Sequence, residues 1–446
     1  AAASSPLRLG MSGPLQGPSQ DLGIEMRRGI MARLDAENQR GGLNGRKLEF
    51  SCLNDNYDPT LAVENTRQLL NITQLEDGAD QPDQRGPNGV LALLGSIGTP
   101  TMLATAPIAT KNRVVFFAPF TGSQKYLRDG TNSPYVYNFR AGYYDETNAM
   151  VDYMANYRSP RIITGPDSYK HLIAFTQKDA YGDAGYDGLV TAYNTRVAAL
   201  PQPDSTQPNP SIARLYYERE SVSSVDPAVE QATALLADIL GDGQTRQSVG
   251  IVMIDTYQPG NKFIRGVKDW LNQDATRAAQ LDVLFMHVSF VGSDSLSKAL
   301  TSPPESYVDV TDPAARRKKT YAADVMVTQV VPYYKSQASG VAAYRSDLAA
   351  FDGGTTSFTS LEGYLAASVL IEGLKGIRGD ISSEALVHAL DSNMSDIDVG
   401  IGAPLSFSST NHQASRTVWG SVLTDDGTFK VPFMWNPKDK IIPGSE

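Results

Sequence analysis

The sequence predicts an α/β protein built as two doubly wound lobes with parallel-sheet cores. Three observations predict it. Short apolar runs alternate with helix-period segments from the N-terminus onward. That alternation restarts near Leu172. A chain of 446 residues suggests two or three domain-sized cores.

Leu7, Leu9 and Met11 alternate as a first strand, stopped by Ser12-Gly13-Pro14. A helix follows from about Asp21, with Met26, Ile30 and Leu34 on one face, and Gly41-Gly42 ends it. Leu48, Phe50 and Cys52 form the next strand. Asp58-Pro59 reads as a helix start, an N-cap followed by proline at the first helical position, with Ala62, Thr66, Leu69 and Leu70 inward. Residues 76–88 read as an exposed insertion. The apolar run from Val90 is a buried strand, stopped by Gly95, Gly98 and Pro100 before a helix over 101–109. Val114 to Ala118 is a further strand. The order β-α-β-α-β-α-β argues a parallel sheet covered on both faces.

The second block begins at Leu172 to Thr176, with a helix from about Tyr181. Residues 201–210 and 301–318 read as further insertions. Asp226-Pro227 caps a helix facing inward through Ala228, Ala232, Leu235 and Ile239. Strands follow at 249–254, 283–290 and 325–331. The helix after the first of them is lined by Phe263, Val267, Trp270 and Leu271, and 361–374 is an apolar helix. The tail alternates at Thr417, Trp419 and Ser421 as short strands. In such sheets ligands sit beyond the carboxyl ends of the strands, so two lobes make a cleft.

Composition excludes several function classes. The net charge of −10 disfavours nucleic acid, because neutralising phosphate needs a basic surface. No apolar run reaches the roughly 18 residues of a membrane span. The one cysteine, Cys52, allows no internal disulfide. His171, His287, His388 and His412 show no metal-ligand spacing, so no metal or cofactor is expected. Enzyme signatures are missing too: there is no G-x-G-x-x-G after a strand, no P-loop and no G-x-S-x-G turn. The small polar start, AAASSP, looks like an end left after removal of a secretory signal.

The strand–turn–helix at 90–109 is a candidate anion site. The first N–H groups of a helix lack partners within it, and its dipole favours negative charge. Thr99 has the alternative of simply capping that helix.

Several stretches, taken in order, resemble the type I periplasmic solute-binding proteins, closest to the Leu/Ile/Val-binding type that feeds ABC importers. They include LRLGMSGPLQG, GGLNGRKLEFSCLNDNYDP, LLGSIGTPTMLATAPIA, VVFFAPFTGSQKYLR, YVYNFRAGYYDETNAM, KDAYGDAGYDGL, IVMIDTYQPGNKFIRGVKDWL and FSSTNHQASRTVWGSVL. The resemblance implies two α/β lobes joined by three crossings, near 138–143, 287–292 and 402–407. Lobe one would be 6–138 with 292–402, and lobe two 143–287 with 407–446. It implies hinge closure on a small molecule, without chemistry, and delivery to an ABC permease. An exported, periplasmic location is implied as well. A ligand-sensing regulator of the same fold is the alternative.

By motif position, the resemblance puts Gly98 and Thr99 at a ligand carboxylate or carbonyl, with Phe120, Thr121 and Gly122 after the next strand. Tyr181 would contact the ligand from the other lobe. Gln16, in the loop 15–19, would wall the side-chain end. Tyr143, Tyr144, Tyr257 and Phe290 are candidate aromatic walls, with packing at the crossings as the alternative. Amino-acid binders of this type place an acid where this chain has Pro259. The ligand then either lacks an α-amino group or meets Asp255 instead. The ligand class expected is an amino acid, an amide or an aromatic acid.

Overall fold

The computed structural model describes residues 5–74, 84–124, 127–200, 211–241, 245–311 and 318–444. The expected insertion at 201–210 lies outside the described residues. So do 76–83 of the insertion at 76–88, 312–317 of that at 301–318, and the first four residues.

In chain order the elements begin with β1 (Leu7–Gly13), α1 (Gln20–Gln39), β2 (Leu48–Asn54), α2 (Pro59–Leu69) and the short strands β3 (Ile72–Gln74) and β4 (Gln84–Arg85). Then come β5 (Ala92–Leu94), α3 (Thr99–Lys111), β6 (Val115–Phe117), β7 (Val136–Tyr137) and α4 (Tyr143–Asp152). The middle of the chain gives β8 (Leu172–Gln177), α5 (Ala180–Ala198), β9 (Ala213–Tyr217), α6 (Asp226–Gly241), β10 (Gln247–Ile254), α7 (Tyr257–Asn272) and α8 (Ala275–Gln280). It continues through β11 (Leu281–His287), α9 (Ser293–Leu300), β12 (Ser306–Val308), β13 (Lys318–Thr320) and β14 (Val325–Gln329). The last elements are α10 (Ser339–Asp352), α11 (Phe358–Lys375), α12 (Ser383–Asn393), β15 (Val418–Leu423), β16 (Phe429–Asn436) and β17 (Lys440–Pro443).

The chain divides into two compact units. Unit 1 is Ala1–Gly142 with Val330–Thr417, and unit 2 is Tyr143–Gln329 with Val418–Glu446. Unit 1 holds a parallel sheet in the order β2-β1-β5-β6-β7. The Asp58 carboxylate accepts from the N–H groups of Thr60 and Leu61 and Pro59 opens α2, as the sequence predicts. Every residue of α11 except Glu372 and Lys375 is buried. Such an all-round apolar helix needs cover on every side; it packs lengthwise on α1, whose Met26 and Ile30 are fully buried. Each of those side chains contributes roughly 1.5–3 kcal/mol. Cys52 is half-buried in β2, and burial pushes its thiol up to about 12.

Unit 2 holds a mixed sheet in the order β17-β16-β15-β14-β11-β10-β8-β9. It is parallel from β9 to β14 and antiparallel from β14 to β17. Strands β8 and β10 are buried on both faces along most of their length, which explains their unbroken apolar runs.

Two of the expected crossings move. The chain stays in unit 2 past 287–292, because residues 289–291 make one tight turn into α9 and β14 then pairs parallel with β11. Residues 403–417 stay in unit 1, where Ala414 N–H bonds Asn138 O at 2.8 Å and Phe407 packs edge-on against Tyr137. The expected boundaries at 292 and 402–407 are therefore replaced by 329/330 and 417/418. Two local expectations also change. Asp226 lies within α6 rather than capping it, since a short 3-10 turn at 222–225 precedes it. The buried row of α6 is Ala228, Ala232 and Leu236, with Leu235 and Ile239 only half-buried.

Candidate functional site

In unit 1 the residues of interest lie beyond the carboxyl ends of β5 and β6. The turn 95–98 is pinned on both sides. Ile97 N–H bonds Ser12 O at 3.0 Å, Gly98 N–H bonds Phe120 O at 3.1 Å, and Phe120 N–H bonds Ser96 O at 2.8 Å. Gly98 precedes α3 with φ 104° and ψ 152°, a conformation open to glycine alone. A Cβ there would also lie 2.3 Å from the Tyr57 ring.

The hydroxyls of Thr99 and Thr121 are 2.7 Å apart, and both residues are fully buried. Thr121 Oγ1 also accepts the Ser123 N–H at 3.1 Å. Two hydroxyl protons serve one bond between the pair, so one proton remains to donate whichever way that bond runs. The N–H of Thr99, at the start of α3, points the same kind of polarity outward from the helix end. This small cluster has one donor to spare, suited to a carboxylate or carbonyl oxygen.

Arg128 fixes the loop that carries Thr121. Its Nε, Nη1 and Nη2 donate to the carbonyls of Ser123 at 2.9 Å, Arg140 at 2.6 Å and Thr121 at 2.8 Å. Arg140 lies over the Phe120 ring at 4.7 Å and pairs with Glu362 at 3.5 Å. Asp55 accepts from Ser12 Oγ at 2.7 Å and from Tyr57 N–H at 2.8 Å; burial pushes its carboxyl up to about 6. Gly122 is buried beside Thr121, whereas Gln16 is exposed in the loop after β1.

In unit 2 the corresponding edge carries aromatic rings. Tyr181 opens α5 behind Asp179, whose carboxylate accepts its N–H at 3.0 Å. The Tyr181 ring lies 5.5 Å from Tyr143 and 4.5 Å from Phe290, and all three are fully buried. Its hydroxyl donates to Asp255 O at 2.8 Å. Tyr257 is buried at the start of α7, and Pro259 lies in the same turn. Tyr144 is half-buried.

Asp255 is fully buried, and its Oδ1 meets His287 Nδ1 at 2.8 Å. Burial raises its carboxyl, while His287 pulls it back. The other oxygen, Oδ2, is buried without a hydrogen-bond partner, and a Cβ added at Gly260 would fall 2.2 Å from it. Glu146 accepts from Ser289 N–H at 2.7 Å, Ser289 Oγ at 3.0 Å and Thr328 Oγ1 at 2.6 Å.

Unit 1 thus brings together Gly98, Thr99, Phe120 and Thr121, and unit 2 brings together Tyr143, Tyr181, Phe290 and Asp255. Sequence reasoning missed Arg128, Arg140, Asp55 and His287. For His287 a signal existed: it ends a strand, as Asp255 follows the end of the neighbouring one, and Met253 is its register partner. Among the described residues no cluster of three or more His, Cys, Asp or Glu side chains could hold a metal. No helix among them is long and apolar enough to cross a membrane.

The periplasmic binding protein family model matches residues 6–206. No curated protein matches the chain. Among solved structures, a possible leucine/isoleucine/valine-binding protein from Rhodopirellula baltica SH 1 is 30% identical, with a TM-score of 0.73 over 97% of each chain. A fatty acid ABC transporter substrate-binding protein from Thermomonospora curvata is 15% identical, with a TM-score of 0.71 over 99% of this chain and 93% of its own. The branched-chain amino acid transporter substrate-binding protein LivJ of Streptococcus pneumoniae, in complex with isoleucine, is 12% identical, with a TM-score of 0.66 over 98% of this chain and 100% of its own. The last two show the shared fold alone. With two α/β units and a relative of this identity along nearly its whole length, the chain belongs to the periplasmic binding protein family and has its type I fold.

Proposed function

We propose that this protein is an extracytoplasmic receptor that captures a small solute by hinge closure and hands it to an ABC importer. The observation that carries this reading is the donor cluster at Thr99 and Thr121. It keeps one hydroxyl proton in reserve, beside a helix start, at the carboxyl edge of a parallel sheet. An acceptor oxygen of the solute would complete it. Tyr143, Tyr181, Tyr257 and Phe290 of unit 2 would wall the body of the solute, and Gln16 and Gly122 would border it from unit 1. No covalent step is part of this role; the solute is released unchanged. The reading places the protein outside the cytoplasm and makes a permease its partner.

Small-angle scattering with and without a stabilising solute tests the hinge. The expected result is a smaller radius of gyration in the bound state and chemically intact solute on recovery. A bound solute that leaves the radius unchanged, or that is recovered transformed, would refute the proposal.

A further inference from the structure

We infer that unit 1 carries a second binding site, for the phosphate group of a small anion or of a lipid headgroup, in an arginine-lined cavity at the amino edge of its parallel sheet. The site lies at the opposite ends of the strands from Thr99 and Thr121, and it does not depend on what those residues bind.

The cavity measures about 570 Å³, the size of a small-ligand pocket. Its wall is the start of β1, the segments entering β5 and β6, the loop 85–89 and the start of α12, all within unit 1. In a chain with a net charge of −10, Arg8, Arg46, Arg85 and Arg113 gather here against one acid, Glu384. Among the described residues only Arg8 of the four is ion-paired, with Glu49 at 3.5 Å. Neutral acceptors orient three of the guanidinium groups. Arg8 Nη1 donates to Asn88 Oδ1 at 3.1 Å and Arg46 Nε to Ser5 O at 2.7 Å. Arg85 donates through Nη2 to Val90 O at 2.7 Å and through Nε to Leu70 O at 3.4 Å. Such contacts fix the groups without cancelling their charge, and each guanidinium keeps N–H donors to spare. The backbone makes room for Arg85: a Cβ at Gly89 would fall 2.4 Å from Leu70 O and 2.7 Å from Arg85 Nη2. Arg113 follows the end of α3 with φ 55°, a position where glycine or asparagine is the usual residue.

Helix α12 adds donors of the same polarity. Ser382 Oγ accepts the Ala385 N–H at 3.1 Å, which leaves the N–H groups of Ser383 and Glu384 without a partner inside the helix. Ser383 Oγ donates to Leu91 O at 2.7 Å and so fastens that first turn to the entry of β5. A single carboxylate would balance only part of this charge. A phosphate group brings more than one negative charge and several acceptor oxygens, and it suits both the arginine fork and a helix start. No aromatic ring lines the cavity among the described residues, so a nucleobase finds nothing to stack on.

Calorimetric titration of the full chain with pyrophosphate, at constant ionic strength, tests the assignment. Saturable binding is expected, and Arg113→Asn should weaken it about five-fold or more. Asparagine accepts the left-handed backbone at 113, so the melting temperature of that variant should hold. Arg46→Gln should weaken binding as well. Glu384→Gln removes the one acid of the wall and should tighten binding about two-fold or more. Co-sedimentation with phosphatidylglycerol vesicles, against phosphatidylcholine vesicles, identifies the source of the phosphate. Pelleting with phosphatidylglycerol that pyrophosphate reverses and Arg113→Asn weakens assigns the site to a lipid headgroup. Pyrophosphate binding without such pelleting assigns it to a free phosphate-bearing anion. An absence of saturable pyrophosphate binding, or binding that neither arginine variant weakens, would overturn the inference.

Discussion

Removing the hydroxyl of Thr121 should cost more stability than removing that of Thr99, although the two share one hydrogen bond. The Thr99→Val change deletes that bond and leaves Thr121 Oγ1 still accepting the Ser123 N–H at 3.1 Å. One neutral bond is worth about 1 kcal/mol. The Thr121→Val change deletes the same bond and also strips the acceptor from Ser123, whose residue is buried. An orphaned buried donor adds about 1–3 kcal/mol, for a total of about 2–4 kcal/mol. In a unit of this size 1 kcal/mol shifts the midpoint by about 2–4 °C. Thermal unfolding should therefore fall by about 3 °C for Thr99→Val and about 8 °C for Thr121→Val. Thr121→Ser keeps the hydroxyl and should recover most of the loss. Equal shifts for the two valine variants, or no recovery with serine, would show that the bond pattern drawn around this pair is wrong.

Gly98→Ala should destabilise unit 1 by about 3 kcal/mol in chemical denaturation, from its positive φ and the Tyr57 ring 2.3 Å from the new Cβ; a loss below about 0.5 kcal/mol would contradict this. Asp55 holds its proton in the folded state up to about pH 6, against an ordinary value of 3.8. The folded state then binds more protons between those values, so stability falls as pH rises through them, by about 3 kcal/mol in all. Asp55→Asn can keep both contacts and should flatten that slope in pH-resolved unfolding. Lys268 of unit 2, buried against the carbonyls of Tyr321 and Ala323, has its ammonium lowered to about 7 by burial. Here the unfolded state binds the extra proton, so stability rises as pH increases from about 7 towards 10.5, by up to about 5 kcal/mol. Lys268→Met should remove that rise.

Much of the strand and helix order was legible because its signals are local. Apolar runs for buried strands, the Asp58-Pro59 start of α2 and the glycine stops after β1 and β5 each act within a few residues. The limits of the units were not legible, because they depend on pairing between distant strands. Nothing in residues 292–329 says that β14 will lie beside β11, or that β15 will return to β14. The same distinction divides the candidate site. The Gly98-Thr99 turn is a local motif and could be found by its spacing. The three carbonyls gathered by Arg128 are only visible once the loop is folded, and an arginine in a polar stretch carries no mark of that task. Asp255 was found as a nearby acid, but its turn towards His287, 32 residues away, follows from the parallel register of β10 and β11.

Amide hydrogen exchange, read peptide by peptide with and without a stabilising solute, tests the central claim most directly. If the solute is gripped between the two units, peptides covering 96–103 in unit 1 and 179–186 in unit 2 gain protection together. Protection confined to one of those peptides, at a solute concentration that saturates binding, would contradict it.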